Sequence, residues 1–248
     1  VDFFKCKNCE KNECLSSCAQ LKRIDFGSIA AFVMESGNTS GRVIFPPEKL
    51  VNYLEKEVKK HNGLVVVNEI TTGIGRTGKW FGHNHYTLKP DIVALGKGLG
   101  NGYPISGVLM DKDVAIRAED KNFLYAQSHQ NDPLGCAIAK EVINILQEDN
   151  LIGKANLLSD RFINELRRIK ENNSIIKEVR GRGLMIAVQL HREGIVTTVF
   201  REMMKRGYFI GVNPMVNILR FYPPLIIKEK DVLNMCTELE LVLRNYSL

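Results

Sequence analysis

The 248-residue sequence lacks any apolar run long enough to cross a membrane, and its longest apolar segments are as short as residues 29–34. It also lacks a signal-peptide pattern, internal repeats and low-complexity tracts. The net charge of +6 is small, and Lys and Arg are interspersed with Asp and Glu rather than gathered into a basic stripe. These absences predict a cytoplasmic globular protein that binds neither a membrane nor nucleic acid.

The cysteines are unevenly distributed, since four of the six fall at Cys6, Cys9, Cys14 and Cys18. Such spacing is typical either of a zinc or iron–sulfur site or of a loop of reduced thiols. Zinc would need four thiolates converging from a short loop rich in Lys and Asn. We therefore predict no metal, and a metal at these four cysteines remains the open alternative.

Hydrophobic periodicity and turn residues predict an alternation of strands and helices along the whole chain. The expected strands are residues 29–34, 64–68, 91–96, 107–110, 184–190, 208–212 and 217–221. The expected helices are residues 48–62, 133–149, 151–171, 193–206 and 228–245. This alternation predicts an α/β protein with a parallel or mixed sheet and helices packed on it.

Lys97 stands in a glycine-rich segment, residues 96–102, directly after the apolar run 91–95. Open α/β sheets bind their ligands at the carboxyl ends of the strands, where this lysine is expected. Burial lowers the pKa of a lysine and prepares its amine for Schiff-base chemistry. The alternative is a solvated lysine in a flexible glycine loop.

A second apolar run that ends in a glycine-rich turn, residues 64–80, precedes Lys97 by about thirty residues. Together, residues 64–80 and 89–102 resemble the class III (ω-amino-acid/ornithine-type) pyridoxal-phosphate aminotransferases. The family pattern is Asp-Glu-x-x-Thr-Gly-x-Gly-Arg-Thr-Gly, then Pro-Asp-Ile and the cofactor lysine before Gly-Leu-Gly-x-Gly. The resemblance begins at about residue 4, continues to the C-terminus and is most specific at 68–110. It implies that Lys97 bonds pyridoxal 5′-phosphate.

The resemblance also implies a fold and a domain organisation. The fold is that of fold-type-I PLP transferases, with a mixed, mostly parallel sheet and a C-terminal α/β small domain. Residues 1–150 correspond to the C-terminal part of the PLP-binding large domain, and residues 151–248 correspond to the small domain. The family's phosphate-binding Gly-Thr/Ser loop and stacking aromatic residue have no counterpart here. We therefore expect a fragment, or an N-terminal half supplied by another chain, and a homodimer.

Four further positions take roles from the resemblance. Asn68 stands where the family has an aspartate that bonds the pyridine nitrogen of the cofactor. The neighbouring Glu69 is not expected to replace it, because successive side chains of a strand point to opposite faces. Thr71 is expected to bind the cofactor. Ser128 stands where the partner subunit contributes a phosphate-binding Thr, and Arg220 stands where an arginine binds the substrate carboxylate.

Two other patterns do not identify a function. Residues 73–79 fit the first seven positions of a phosphate-binding P-loop, but Trp80 occupies the Ser/Thr position that binds Mg²⁺ and no helix pattern follows. Arg76 in this turn is expected to bind nearby carbonyl or acidic groups. Some ω-aminotransferases gate the substrate arginine with a glutamate, and that position carries Ser40 here. The gate therefore identifies no substrate.

The predicted reaction is PLP-dependent amino-group transfer between an amine or ω-amino acid and a 2-oxo acid. We expect it to be impaired, because the amide of Asn68 carries no charge with which to hold a proton on the ring nitrogen, and because the N-terminal half is missing. The alternatives are an inactive aminotransferase-like binding or scaffold subunit, and a PLP aminomutase or racemase.

Overall fold

The computed structural model describes Val1, Cys6, Cys9, Cys14, residues 16–38 and residues 41–246. The chain divides into two compact units. The first comprises Val1–Gly37, Phe45–Ile74 and Phe81–Ile145, and the second comprises Asn38–Ile44, Gly75–Trp80 and Leu146–Leu248. The sequence predicted a boundary at residue 150. The interpretation of residues 1–150 and 151–248 as parts of a large and a small domain stays a prediction.

The first unit contains a four-stranded sheet in the order β1-β2-β3-β4. β1 pairs with β2 and β2 with β3 in parallel, whereas β3 and β4 are antiparallel. This arrangement confirms the mixed, mostly parallel sheet. β-branched residues favour these strands, most clearly in the Leu-Val-Val-Val run of β2. The bounds are β1 Ala31–Glu35, β2 Leu64–Asn68, β3 Ile92–Leu95 and β4 Gly107–Met110.

Helix α1, Glu48–Lys60, packs on β1 and β2. Its buried residues recur at helical spacing and form one apolar face, which is why the segment is an amphipathic helix: Leu50, Val51, Leu54 and Val58. The helix ends before Asn62, which adopts a left-handed conformation with φ 62°, and Gly63, whose N–H donates to the Val58 carbonyl. The helix predicted between Pro47 and Asn62 is confirmed.

Asp91, from the Pro-Asp-Ile part of the family pattern, has a structural role. Its Oδ2 accepts a hydrogen bond from the backbone N–H of Val65 at 2.6 Å, and its Oδ1 accepts one from Lys59 Nζ at 2.5 Å. The carboxylate therefore ties the beginning of β3 to β2 and to the end of α1.

Three of the N-terminal cysteines contribute to a small apolar cluster against α1, namely Cys6, Cys14 and Cys18. Cys6 is buried with Leu21, and its sulfur accepts a hydrogen bond from Gln20 Nε2 at 3.3 Å. Burial, followed by the neighbouring thiols, raises the pKa of Cys14. The cysteines are free thiols, and among the described residues no group of three or more His, Cys, Asp or Glu side chains could hold a metal ion.

Two helices follow β4 in the chain. Helix α3, Pro133–Glu148, agrees with the sequence prediction, but helix α2, Lys112–Asp120, was not predicted. The sequence does contain a helix-start signal, because aspartate is a preferred N-cap residue and Asp111 precedes α2. The Asp111 carboxylate accepts a hydrogen bond from the Asp113 N–H and caps the first turn.

The second unit contains a four-stranded sheet in the order β5-β6-β8-β7, with every pair antiparallel. The strand–helix alternation had predicted parallel or mixed pairing. A tight turn at Gly183, with φ 53°, joins β5 to β6, and such a turn permits only antiparallel pairing. The bounds are β5 Ile176–Arg182, β6 Met185–Leu190, β7 Gly211–Asn213 and β8 Ile218–Phe221.

Three helices complete the second unit: α4 Leu151–Glu171, α5 Ile195–Lys205 and α6 Glu229–Arg244. They share a continuous apolar core with the sheet, in which Phe162 of α4 meets Phe221 of β8 edge to face at 5.6 Å between ring centroids. No helix among the described residues is long and apolar enough to cross a membrane.

Candidate functional site

Lys97 lies just beyond the carboxyl end of β3, as predicted, and begins a short 3-10 turn over Lys97–Leu99. Its Nζ donates a hydrogen bond to Thr71 Oγ1 at 2.5 Å. The side chain is exposed, so the expectation that Lys97 would be buried is wrong. The amine is therefore accessible to a ligand and is oriented by a hydroxyl group.

The backbone at Lys97 is strained. Its φ of 42° lies in the left-handed region, which is uncommon for any residue except glycine. Ile74 also has a positive φ, 54°, and a Cβ built on Gly98 would lie 3.3 Å from the Ile74 Cβ. Left-handed conformations cost most for β-branched residues and gather at active sites and ligand-binding turns. This observation supports a functional role for the turn that carries Lys97.

One glycine of the loop is required by packing alone. A Cβ on Gly100 would lie 2.1 Å from the carbonyl oxygen of Tyr103, a distance that no side chain can tolerate. The Tyr103 N–H also donates to the Gly100 carbonyl at 2.9 Å. The glycine-rich sequence after Lys97 therefore serves a tight backbone fold rather than a flexible loop.

Asn68 is the last residue of β2 and is aligned with Ala94 of β3. Its side chain is half-buried, and its Oδ1 accepts a hydrogen bond from the Ile70 N–H at 3.1 Å. Asn68, Thr71 and Lys97 therefore lie at the same carboxyl edge of β2 and β3, within the first unit. The structure thus brings together three of the predicted cofactor-binding residues.

Glu69 has an environment unlike that of Asn68. Its side chain is fully buried, and five groups donate to its carboxylate: Ser36 Oγ at 3.1 Å, Thr72 Oγ1 at 2.5 Å, the N–H of Gly82 at 2.9 Å, the N–H of His83 at 2.7 Å and His83 Nδ1 at 2.9 Å. Burial raises the pKa of Glu69, but the hydrogen bonds outweigh it and the pKa is lowered. This network was not predicted from the sequence, because its partners are up to 33 residues from Glu69.

The packing around this carboxylate is tight as well as polar. A Cβ on Gly82 would lie 2.7 Å from the Ser36 Cβ and 2.8 Å from the Thr72 Cβ. His83 stacks on Phe81 with 5.3 Å between ring centroids and 10° between ring planes. Glu69 therefore joins the segments that follow β1 and β2 to the 3-10 helix Gly82–His85.

Ser128 lies in an exposed turn before α3. Near the start of that helix, the Tyr103 hydroxyl donates to Asp132 Oδ2 at 3.1 Å. An exposed serine is accessible to a group outside this chain, and its own hydroxyl can donate or accept a hydrogen bond.

Arg220 lies on β8 in the second unit, between the buried residues Leu219 and Phe221. Its Nη2 donates to the Val212 carbonyl at a long 3.4 Å. Its Nε is buried and has no hydrogen-bond partner among the described residues. A buried donor without an acceptor is costly, so this guanidinium has capacity to bind an anion.

Arg220 also borders a cavity of about 460 Å³ in the second unit. The walls are mainly apolar and aromatic, and they include Phe162, Phe209, Phe221, Ile227 and Met235. The guanidinium carbon lies 6.0 Å from the centroid of the Tyr222 ring. An arginine beside an apolar cavity suits a ligand with one anionic group and an apolar remainder.

The P-loop-like segment does not form a nucleotide site. Arg76 Nη1 donates to the carbonyls of Leu184 at 3.1 Å and Pro223 at 2.6 Å, which confirms the predicted binding of carbonyl groups. The segment is followed by the short 3-10 helix Gly82–His85 instead of the α-helix that a P-loop requires. Ser40, at the position of the gating glutamate, lies outside the described residues.

Comparison with known proteins gives a consistent result over almost the whole chain. The family model described as aminotransferase class-III matches residues 2–243. The ornithine aminotransferase of Plasmodium yoelii yoelii is 32% identical over 213 residues, which cover 86% of this chain and 51% of that protein. The acetylornithine aminotransferase of Caldanaerobacter subterraneus subsp. tengcongensis is 30% identical, with 82% of this chain and 51% of that protein covered.

A solved structure agrees with these sequences. The crystal structure of a transaminase from the marine bacterium Virgibacillus superimposes with a TM-score of 0.85 at 26% identity and covers 92% of this chain. The matched region is 55% of that transaminase. The chain therefore spans about half the length of the relatives that it matches.

Proposed function

The chain belongs to the class III aminotransferase family, and from that premise we propose that it performs PLP-dependent transfer of an amino group between an amine or ω-amino acid and a 2-oxo acid. The names of two relatives support the donor class, because ornithine and acetylornithine both carry an amino group that such a reaction could transfer. The observation that carries the proposal is the exposed Lys97 amine, hydrogen-bonded to Thr71 at the carboxyl edge of β3.

Pyridoxal 5′-phosphate is the cofactor of this family, and when bound it withdraws electrons from the substrate carbon that bears the amino group. The donor set of the first unit fits it: an exposed amine, a neighbouring hydroxyl and an amide at the end of a strand. Lys97 would bond the cofactor, and Thr71 and Asn68 would hold it. Ser128 of a partner subunit would donate to its phosphate.

Lys97 has a second role in this proposal. Its amine would accept a proton at Nζ from the substrate carbon that bears the amino group and return the proton to another position. The Thr71 hydroxyl, 2.5 Å from Nζ, keeps the amine in a defined orientation between these steps.

Arg220 would bind the carboxylate of the amino or 2-oxo acid. A guanidinium offers two parallel donors that match a carboxylate, and the Nε of Arg220 lacks a partner among the described residues. The partly buried position strengthens such a pair compared with one on the surface, because water screens it less.

We expect transfer by this chain to be impaired. Asn68 offers an amide where the family has a carboxylate, and each pKa unit lost at the ring nitrogen removes about 1.4 kcal/mol of proton stabilisation. The proposed assembly is a homodimer, or a complex with a separate chain that carries the N-terminal half of the family fold. A cytoplasmic location stays a prediction from the sequence.

The test is a single-turnover assay of the holoprotein with a panel of ω-amino acids and a stoichiometric amount of cofactor. We expect slow formation of the deaminated carbonyl product, and none from Lys97→Ala. Lys121→Ala, which removes another exposed lysine of the first unit, is the matched control and should behave as the unmodified protein. Cofactor binding without any deamination would contradict the proposed reaction.

Two other functions remain as alternatives, and Asn68 motivates both. An inactive binding or scaffold subunit would bind no cofactor and form no product. An aminomutase or racemase would convert the amino acid without releasing a carbonyl product, because a weakened electron sink favours returning the proton to the substrate. Chiral and positional analysis of the recovered amino acid distinguishes these outcomes.

A further inference from the structure

We propose that Asn68 serves the ring nitrogen of the cofactor as a hydrogen-bond donor, through Nδ2, and that the site therefore holds this nitrogen without a proton. The inference rests on the proposed function and specifies the chemistry of the same site. In this arrangement Asn68 donates the hydrogen bond to the ring nitrogen. A carboxylate at the same position could only accept a hydrogen bond, and only from a protonated ring nitrogen.

The orientation of the Asn68 amide is decided by its contact with the backbone. Oδ1 lies 3.1 Å from the N–H of Ile70. A backbone N–H can only donate, so the atom that faces it must be the amide oxygen and not the nitrogen. The Nδ2 group is therefore directed away from the backbone, and none of the described residues accepts a hydrogen bond from it.

Glu69 cannot supply the charge that Asn68 lacks. Its carboxylate is fully buried, and the hydroxyl, imidazole and backbone donors around it use both oxygens. A carboxylate that already accepts five hydrogen bonds has little capacity left for another partner. The negative charge of Glu69, the residue after Asn68, therefore stabilises the fold and does not contact the cofactor.

The other ionisable groups nearby are Lys97, His83 and Glu35. In this proposal Lys97 is bonded to the cofactor, and His83 donates to the carboxylate of Glu69. Glu35 is aligned with Asn68 across β1 and β2 and so occupies the same face of the sheet, but it has contacts of its own. Glu35 is therefore the alternative source of negative charge that an experiment has to exclude.

The experiment is ¹⁵N NMR of the holoprotein loaded with ring-¹⁵N-labelled pyridoxal 5′-phosphate at neutral pH. The ring-nitrogen resonance of the unmodified protein should lie at the position of an unprotonated pyridine. In Asn68→Asp it should move upfield to the pyridinium position. Aspartate accepts from the Ile70 N–H as asparagine does, so this variant keeps the local turn.

A second measurement uses affinity in place of a spectrum. The N-methyl analogue of the cofactor has no lone pair on the ring nitrogen and cannot accept from Nδ2. It should bind the unmodified protein about tenfold more weakly than the native cofactor, a loss of the size expected for one hydrogen bond. Asn68→Asp should reduce or remove this difference, because its carboxylate is attracted to the permanent positive charge.

A pyridinium resonance in the unmodified protein would overturn the inference while leaving the proposed function intact. A pyridinium resonance that disappears in Glu35→Gln would overturn it in favour of Glu35, whereas an unprotonated resonance in both proteins supports it. Failure of the unmodified protein to bind cofactor at all would overturn the proposed function together with this inference.

Discussion

The two sheets of the molecule differ in what they bury. Strand β6 in the second unit has every side chain buried except the half-buried Gln189, and it lies within one continuous apolar core. In the first unit β4 exposes Val108, Leu109 and Met110, while the charged side chain of Glu69 is fully buried. The second sheet is thus stabilised mainly by apolar packing. The sheet of the first unit also buries apolar residues of β1 and β2, but a buried carboxylate held by hydrogen bonds follows β2, and this sheet carries the residues proposed for chemistry.

The largest effect is expected from the core of the second unit. Phe162→Ala removes a ring that is 1% exposed and should lower the free energy of unfolding by about 4 kcal/mol, because it leaves a cavity against Phe221. Met215→Ala, at a side chain 94% exposed in the same unit, is the control and should change it by less than about 0.5 kcal/mol. Urea unfolding measures both. Equal effects would contradict the apolar account of this unit.

In the first unit, Glu69→Gln should lower the free energy of unfolding by about 2–3 kcal/mol. The variant keeps the shape but loses charge-assisted hydrogen bonds from Thr72 and His83 and leaves a buried donor unmatched. Because the folded-state pKa of Glu69 lies below its ordinary value of 4.5, the stabilisation is present above that pH and is lost as the pH falls through the folded-state pKa. The difference in free energy of unfolding between Glu69→Gln and the unmodified protein should therefore decrease as the pH is lowered.

The free energies of unfolding of Glu69→Gln and of the unmodified protein could instead differ by a constant amount down to low pH. That result would show that the carboxylate is not what stabilises this network. Denaturant unfolding at a series of pH values gives the result.

The turn after Lys97 offers a pair of glycines with different constraints. Gly100→Ala should cost about 2 kcal/mol, because its Cβ would overlap the Tyr103 carbonyl oxygen. Gly102→Ala should cost about 1 kcal/mol, because its φ of +105° is unfavourable but nothing lies within 4 Å of the added atom. Thermal unfolding compares them, and a smaller cost at Gly100 would contradict the tight backbone fold.

The smallest effect is expected at the surface of the second unit. Arg168 binds Glu165 and Glu240, yet its side chain is 45% exposed. Arg168→Ala should lower the free energy of unfolding by about 0.5 kcal/mol, and by less in high salt, since water and ions screen exposed pairs. A loss as large as that of Phe162→Ala would break the distinction between core and surface.

The elements with clear periodicity were predictable from the sequence. Strands β2 and β4 have the predicted bounds, and the apolar face of α1 follows from Leu50, Leu54 and Val58. Strand β5 was not predicted, because it contains several charged residues, such as Lys177 and Arg180, and its sequence is typical of a solvent-exposed segment. Its pairing with β6, and not its own composition, makes it a strand.

The site was predictable in position but not in environment. The glycine-rich segment correctly predicted Lys97 at the end of β3, since a strand followed by a tight turn is a local property. Its exposure and its bond to Thr71, 26 residues away, depend on how β2 and β3 pair. The Glu69–His83 contact is likewise a product of tertiary folding that no local pattern encodes.

The most direct test of the central claim, that Lys97 bonds the cofactor, is borohydride reduction of the protein loaded with pyridoxal 5′-phosphate, followed by peptide mapping with mass spectrometry. Reduction fixes the cofactor on the lysine to which it is bonded. We expect the label on the peptide that contains Lys97, its loss in Lys97→Ala and its retention in Lys121→Ala. A label on another lysine, or one that persists in Lys97→Ala, would contradict it.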